Sequence, residues 1–533
     1  MNPTTSPVRP APTDLTKTLA SRLVLAAALL GSLSACTTIQ VDVPDSAIHP
    51  PARFSEVEQG PTATVSDLAH WWRAIPDPTL SALIEKGLQA NTDVRIAAAR
   101  VREARAVVTQ AESALYPTLA ALGYAGRTQQ NEAGVQLPAP RQPDLSGLPV
   151  PLPPLPTLPA LPNVDVPRLP ISTYSGYGFA ATWEVDIFGA RRSDAQAARS
   201  AALANQERLH GAQLMVAGDI ASSYIEARSL ERRIGVLQRS LVEADRLHRY
   251  AQGRFDAGQA TRYDVDRVDA QRQALRAGTA PLQTLLQSRL RRLAVLTGQT
   301  PDQALQLPAP TASAPADGSV IPSRLPAILP SEVLERRPDV RGTAQLVRAR
   351  AAQLGGAKAD LLPRFYLGFL ANDGRIEIGD IGSSGRFTSW GAGLYLPIFE
   401  AGRIRARIRA SDAQLEAAVI QHEQAVLAAL EDVENAYGTR RALDQRSAQL
   451  SASWQTADRG ARHAQRLFDE GNGLLQGAIE ARLGALQRED ELIQAETARA
   501  LVTVALYKAV GGGWQDADAN ADANVEAPAP PKP

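Results

Sequence analysis

From Tyr174 the chain alternates. Tyr177, Phe179, Ala181, Trp183, Val185 and Ile187 are apolar, while Gly176, Gly178, Ala180, Thr182, Glu184 and Asp186 are small or polar, the period of two of a strand with unlike faces. After Gly189 the period turns helical, and no proline interrupts it before Pro281. Leu209, Ala212, Val216, Ile220, Tyr224, Ala227, Leu230, Ile234, Leu237, Leu241, Ala244 and Leu247 then advance 38 positions in eleven steps, a coiled-coil seam. The spacing predicts helices over Arg192–Arg254 and Arg403–Phe468, 63 and 66 residues long, each about 95–100 Å at ~1.5 Å per residue. Arg, Glu and Gln crowd the remaining faces, so neither is a transmembrane helix.

The strand pattern recurs. Phe365, Leu367 and Phe369 alternate within a strand predicted over Arg364–Asn372, and Trp390, Ala392, Leu394, Leu396 and Ile398 within one over Phe387–Phe399. Four strands of about 10 residues have the length to cross a bilayer at a tilt. Tyr124, Tyr177, Trp183, Phe365, Trp390 and Tyr395 are candidates for interfacial aromatic girdles. Four strands cannot close a membrane barrel, since about eight are needed. Closure therefore calls for several chains, and a cyclic trimer of four-stranded contributions gives 12 strands with no edge in lipid.

Repetition explains the order of the parts. Asp93-Val94-Arg95 returns as Asp339-Val340-Arg341 at an offset of 246, and Gly189, Phe255-Asp256, Gly258 and Gly298 return as Gly402, Phe468-Asp469, Gly471 and Gly511 at 213. The missing 33 residues match Pro138–Pro170, which holds 12 prolines, cannot supply ladder donors, and reads as an elongated hairpin loop. The predicted organisation is a signal over 1–35, a tether over 36–77, a first repeat over 78–298, a linker over 299–330, a second repeat over 331–511 and a disordered tail over 512–533. Returning helices are expected over Thr261–Leu296 and Leu474–Val510, covering the long ones only if Thr92–Leu115 and Ser331–Leu361 stack end to end with them. The fold class is thus an α+β membrane protein built from a duplicated helix-strand-strand-helix unit.

Composition narrows the function classes. Formal charge is zero, with +2 in the first 35 residues, and nothing in it suggests a nucleic-acid partner. Lys17 and Arg22 precede the apolar run Leu23–Leu33, too short to span a bilayer, and Leu33-Ser34-Ala35-Cys36 has the form of a lipoprotein cleavage site. Cys36 is the single cysteine and the candidate lipid attachment site. The six histidines show no paired ligand spacing, and Gly511-Gly512-Gly513 follows a helix instead of opening one, so no metal, cofactor, phosphate loop or enzymatic reaction is expected.

The cleavage motif, WEVDIFG at Trp183–Gly189 with its echo LPIFEAGR at Leu396–Arg403, the turns RFDAG and LFDEG, and LYKAVGGGW at Leu506–Trp514 together resemble the outer membrane factor family of efflux channels, OprM- and TolC-like, in its lipoprotein (NodT-type) branch. The resemblance implies a homotrimer in which a 12-stranded outer-membrane barrel continues as a helical periplasmic tunnel. It also implies docking on a periplasmic adaptor and an inner-membrane transporter, and passive export of drugs or other small toxic molecules. Gly189 and Gly402 would mark the barrel–tunnel junctions, and Gly258, Gly471, Arg254 and Arg466 the hairpin tips that meet the adaptor. Glu480 and Asp264 would form the periplasmic constriction, although the partners that close the entrance in TolC-like relatives are replaced here by Phe468 and Gly473. The plainer alternative for both acids is a solvated helix surface. The competing function is a periplasm-bridging coiled-coil lipoprotein without a pore.

Overall fold

The computed structural model describes residues 39, 41–43, 47–55, 70–75, 77–128, 172–303, 306–308, 329–378 and 380–512. Cys36, the signal, the Pro138–Pro170 stretch, most of the 299–330 linker and the tail after residue 512 lie outside the described residues. Two compact units share the chain, one drawn from residues 110–192 and 356–404 and the other from 40–109, 193–355 and 405–533.

The first unit is a four-stranded antiparallel sheet in the order β1 (Thr118–Thr128), β2 (Ser172–Val185), β3 (Arg364–Ile378) and β4 (Ile381–Tyr395). The β2–β3 pairing joins the two repeats along fourteen residues, from Ser172↔Ile378 to Val185↔Phe365. The last two strands are longer than expected at their shared end. Ile378 pairs with Ile381, so residues 373–378 and 381–386, which have loop composition, are instead ladder. At its other end β4 stops at Tyr395, short of the expected Phe399.

Parity of the register separates the aromatics. Tyr177, Trp183, Phe365 and Trp390 share one face with Leu119, Phe179, Leu367, Phe369 and Leu394, whereas Tyr124 and Tyr395 stand on the other. The six aromatics are thus divided between the two faces of the sheet, four on one and two on the other. On the second face the tyrosines lie over glycines: a Cβ at Gly176 would sit 2.6 Å from the Tyr124 hydroxyl. Asn372 Nδ2 donates to that hydroxyl at 3.0 Å. Glycine is required there because the ring of the neighbouring strand occupies the space.

The second unit is helical. It holds α1 (Pro78–Ala90), most of α2 (Thr92–Ser113), most of α3 (Ala190–Asp256), α4 (Arg262–Ala277), α5 (Thr279–Leu296), α6 (Pro330–Arg336), most of α7 (Pro338–Ala359), most of α8 (Arg403–Asp469) and α9 (Leu475–Ala509). The duplication is visible in the bounds: 190 to 403 and 256 to 469 are each steps of 213, while 92 to 338 and 113 to 359 are each steps of 246. Both long helices have 67 residues. The expected single helix Thr261–Leu296 is broken at Gly278, because Pro281 cannot donate a backbone hydrogen bond and its ring crowds the preceding turn. Its counterpart α9 has no proline and runs 35 residues unbroken.

End-to-end stacking is found, and the two repeats fasten it with different side chains at equivalent positions. Asn91 caps α2, accepting from the Asp93 and Val94 amides, and its Nδ2 donates to the carbonyl of Leu296, the last residue of α5, at 3.0 Å. Arg337 precedes α7 and donates to the carbonyl of Ala509, the last residue of α9, at 3.0 Å. It also grips Asp339 at 2.7 Å and Asp432 at 3.0 Å. Gly298 and Gly511, which end α5 and α9 with φ of 76° and 89°, are equally confined: a Cβ would fall 2.8 Å from Ala90 Cβ in the first case and 2.9 Å from Arg337 Cα in the second.

Around these joints lies the main core, including Leu80, Ile84, Ile220, Tyr224, Leu293, Val433, Leu506 and Val510. Trp71 and Trp72, in a short 3₁₀ turn, complete it, and Trp71 stacks on Tyr507 with centroids 5.1 Å apart. The 36–77 segment is more than a tether where it is described. Val41, Ile48 and Phe54 pack into helical clusters, and the amides of Ala47 and Ser55 donate to Glu423 and Glu434 at 2.9 and 2.7 Å. Widely spaced apolar residues gave no period to read, yet each finds a site on α8 or its neighbours.

Tyr224 ties three segments together. Its hydroxyl donates to Asp77, the N-cap of α1, at 2.5 Å, and accepts from Arg228, which also donates to the Pro308 carbonyl at 2.7 Å. Burial first, then the bond to Asp77, push its pKa up to about 12. The folded state thus favours the neutral phenol. That stabilisation is whole below the unfolded value of about 10 and is lost as pH rises through about 12. Tyr224→Phe is expected to flatten the alkaline fall of helical circular dichroism across this window; an unchanged alkaline limb would remove Tyr224 as its source.

Candidate functional site at the hairpin turns

The long helices end in matching backbone motifs. Gly258 and Gly471 take positive φ of 72° and 77°. The following amides, Gln259 and Asn472, each reach back to Arg254 and Leu467 carbonyls at 2.8 Å, while the glycine amides bond Phe255 and Phe468 carbonyls at 2.9 Å. This pair of bonds satisfies the open carbonyls of a helix end and needs a left-handed residue, which glycine adopts without a Cβ penalty. No atom lies within 4 Å of a Cβ at either glycine. Backbone conformation alone selects glycine there.

A small apolar cluster brings the two turns together: Leu247, Ala251, Val265, Val268 and Ile479 are buried against one another, with Phe255 and Leu475 beside them. Over it sits a charged patch that gathers three of the residues singled out from the sequence. Asp264 forms a capping box at the start of α4, its Oδ2 accepting from the Thr261 amide at 2.9 Å and hydroxyl at 2.7 Å. Hydrogen bonding to Thr261, with Arg267 and Arg254 nearby, holds its carboxyl below the usual range. Arg254 donates to the Gln259 carbonyl at 3.0 Å and bonds the turn it terminates. Glu480 on α9 accepts from Gln476 at 2.9 Å and lies 3.8 Å from Arg267 on α4, half-exposed. Arg466 is exposed in the last turn of α8.

Arg267 is the member that sequence reasoning missed. Its signal was its position three residues after Asp264 on a helix, the spacing of same-face neighbours. Beside the patch, a groove of about 670 Å³ runs among α3, the α4–α5 break and α9, lined by Arg233, Ser240, Gly278, Pro281, Glu480 and Asp490. Arg233 pairs with Asp490 at 2.8 Å and Arg239 with Glu489 at 2.5 Å, fixing α9 on α3.

Gly189 and Gly402 stand directly before α3 and α8 with φ of 83° and 84°. Local acids complete each start. Asp186 accepts from the Arg192 amide at 2.8 Å, and Glu400 from the Ile404 amide at 2.5 Å, placing negative charge at a helix N-terminus. Asp186 is thus engaged as a helix anchor. Trp183 Nε1 donates to the Leu115 carbonyl at 3.0 Å, joining the end of β2 to the segment before β1.

Among the described residues no cluster of three or more potential metal ligands occurs, and no helix is long and apolar enough to cross a membrane. The family model for the outer membrane efflux protein matches residues 83–299 and 329–512, both repeats and the turns just described. The chain belongs to this family. Among its relatives, the efflux protein is 29% identical over 505 residues to the pyoverdine export outer membrane protein OpmQ of Pseudomonas aeruginosa, covering 92% of this chain and 96% of that one. It is 27% identical over 472 residues to nodulation protein T of Rhizobium leguminosarum bv. trifolii, covering 87% and 92%.

The solved outer-membrane channel OprN superposes with a TM-score of 0.73 at 27% identity, covering 90% of this chain and 99% of that one. The open-state MtrE channel of Neisseria gonorrhoeae shares the fold, with a TM-score of 0.73 at 24% identity and coverage of 90% and 98%. The efflux protein is thus an outer-membrane exit duct with the fold of these channels. A poreless bridging lipoprotein is set aside by the same match.

Proposed function

We propose that three copies of this chain close a 12-stranded barrel and conduct small molecules delivered by a periplasmic adaptor and an inner-membrane transporter. The observation that carries the reading is the sheet itself: four strands in the order β1-β2-β3-β4 leave β1 and β4 as open edges, and one face is apolar along its length near Trp183 and Trp390. Open edges in hydrocarbon each leave a row of unsatisfied backbone groups, which only closure with further chains removes. Cys36 is the proposed lipid attachment point, and the tip residues Gly258, Gly471, Arg254 and Arg466 the proposed adaptor contact. Gly189 and Gly402 are the proposed junctions of barrel and tunnel. Export of the siderophore pyoverdine is a property of the OpmQ relatives; for this chain the cargo class is small toxic or metal-binding molecules handed over by its transporter. The test is reconstitution of purified protein in a planar bilayer. A trimer with discrete conductance is the expected result, and a monomer without conductance would overturn the reading.

Glu480 and Asp264 are the proposed acidic constriction. Three copies of a half-exposed carboxylate around an axis attract cations and repel anions at close quarters. Glu480→Gln is expected to lower the cation-to-anion permeability ratio by about twofold or more, read as a shift of reversal potential in a salt gradient. An unchanged reversal potential would return Glu480 to an ordinary helix surface held by Arg267.

A further inference from the structure

The apolar face of the sheet changes character at one register row. Reading rows across the strands, Val185–Phe365–Leu394, Trp183–Leu367–Ala392, Leu119–Ala181–Phe369–Trp390 and Ala121–Phe179–Ala371–Thr388 carry no charge. The next row is Gly123–Tyr177–Asp373–Arg386, followed by Ala125–Ser175–Arg375–Ser384 and by Arg127–Thr173–Glu377–Gly382. The charges are outward and wet: Arg386 is 80% exposed and 3.8 Å from Asp373, and Arg375 is 66% exposed beside Glu377. Below them Trp390 is 85% exposed with no polar neighbour in its row. From Arg386 to Leu396, which is also exposed, is ten residues. At about 3.3 Å per residue and a tilt near 40° this spans roughly 25 Å, the height of an outer-membrane apolar band.

We propose that the outer boundary of the membrane lies at the Tyr177–Asp373–Arg386 row, and that Arg386, Arg375 and Arg127 there contact the phosphate groups of the outer-leaflet glycolipid. The β3–β4 hairpin beyond this row, Gly374–Gly385, stands clear of the bilayer as paired sheet. A guanidinium on an outward strand face meets a phosphate with charge-assisted, two-pronged hydrogen bonds, and Tyr177 beside it supplies the ring that sits at a headgroup interface. The adjacent carboxylates Asp373 and Glu377 keep the arginines extended and leave room for divalent cations that bridge to the same phosphates. This inference rests on the lipid-facing reading of the sheet.

Single cysteines on full-length protein in intact cells test it, with Cys36 the only native cysteine. Ser175→Cys and Ser384→Cys should react with a membrane-impermeant maleimide added outside, and Ala371→Cys and Ala392→Cys should not. Protection of Ser175→Cys and Ser384→Cys, with Ala392→Cys also protected, overturns the boundary alone. Reaction of Ala392→Cys overturns the lipid-facing reading as well. For the phosphate contact, detergent-purified channel should bind bis-phosphorylated lipid A in preference to its dephosphorylated form, and Arg375→Ala with Arg386→Ala should weaken that binding roughly tenfold. Equal binding of both lipid forms by the unaltered channel overturns the contact.

Discussion

Arg337→Ala is expected to destabilise the helical unit by about 2–4 kcal/mol, less than for a fully buried ion pair because Asp339 and Asp432 are each about half exposed and water replaces part of the lost pairing. Arg337 is 8% exposed and serves three acceptors at once, Asp339, Asp432 and the Ala509 carbonyl. Removing it orphans the buried Ala509 carbonyl, leaves the two half-exposed carboxylates to water, and frees the end of α9 from the start of α7. The equivalent change in the first repeat, Asn91→Ala, removes neutral hydrogen bonds only and should cost about 1–3 kcal/mol. Thermal unfolding followed by far-ultraviolet circular dichroism measures both; equal losses would mean that the charge at residue 337 adds nothing beyond capping.

The same site carries a pH signature. Burial alone would raise the Asp339 pKa, but hydrogen bonding and attraction from Arg337 outweigh it and hold the carboxyl below its ordinary value. A depressed carboxylate contributes stability that is present above the unfolded pKa, about 3.9, and is lost as pH falls through the folded value. The acid limb of the melting profile should therefore be shallower in Arg337→Ala than in the unaltered protein. A parallel profile would show that another group sets the acid limit.

How much of this was legible in the sequence depended on whether a signal was periodic. The α3 seam repeats every three to four residues, and Val216, Ile220, Tyr224, Ala227, Leu230, Ala244 and Leu247 are indeed buried. Duplication located the rest, since Gly258 and Gly471 announce each other at a fixed offset. What escaped notice was non-periodic. Trp71 and Trp72 lie in a short turn with no repeat, and their place in the core depends on Tyr507, more than four hundred residues away. The Asn91–Arg337 equivalence was hidden because the two residues share no chemistry, only the duty of holding a helix end. Strand length failed where polar composition imitates a loop: Asp373, Arg375 and Glu377 alternate with Gly374 and Ile376, a period that composition conceals. At the hairpin turns the sequence supplied Asp264 and Glu480 as isolated acids, and the fold supplied Arg267 between them.

Leu367→Arg and Leu370→Arg, three residues apart on β3, are expected to part company. Leu367 pairs with Trp183 and Ala392 among the uncharged rows, on the face proposed to meet lipid. An arginine at that depth costs about 2–4 kcal/mol, because the guanidinium must be stripped of water or drag a defect into the hydrocarbon. Leu370 lies on the opposite face between Ala180 and Ser389, in the row of Ala120, where small neighbours leave space and the proposed lumen would supply water. There the charge should cost at most about 1 kcal/mol and alter conductance instead. The measurement is the yield of heat-resistant trimer in outer-membrane fractions, together with single-channel current. Loss of trimer from Leu367→Arg with retention in Leu370→Arg supports the assigned faces, and the reverse pattern would turn the barrel inside out. Equal tolerance of both would mean that neither face meets lipid, since no outer-membrane barrel accepts a charge at mid-depth on its lipid side without penalty.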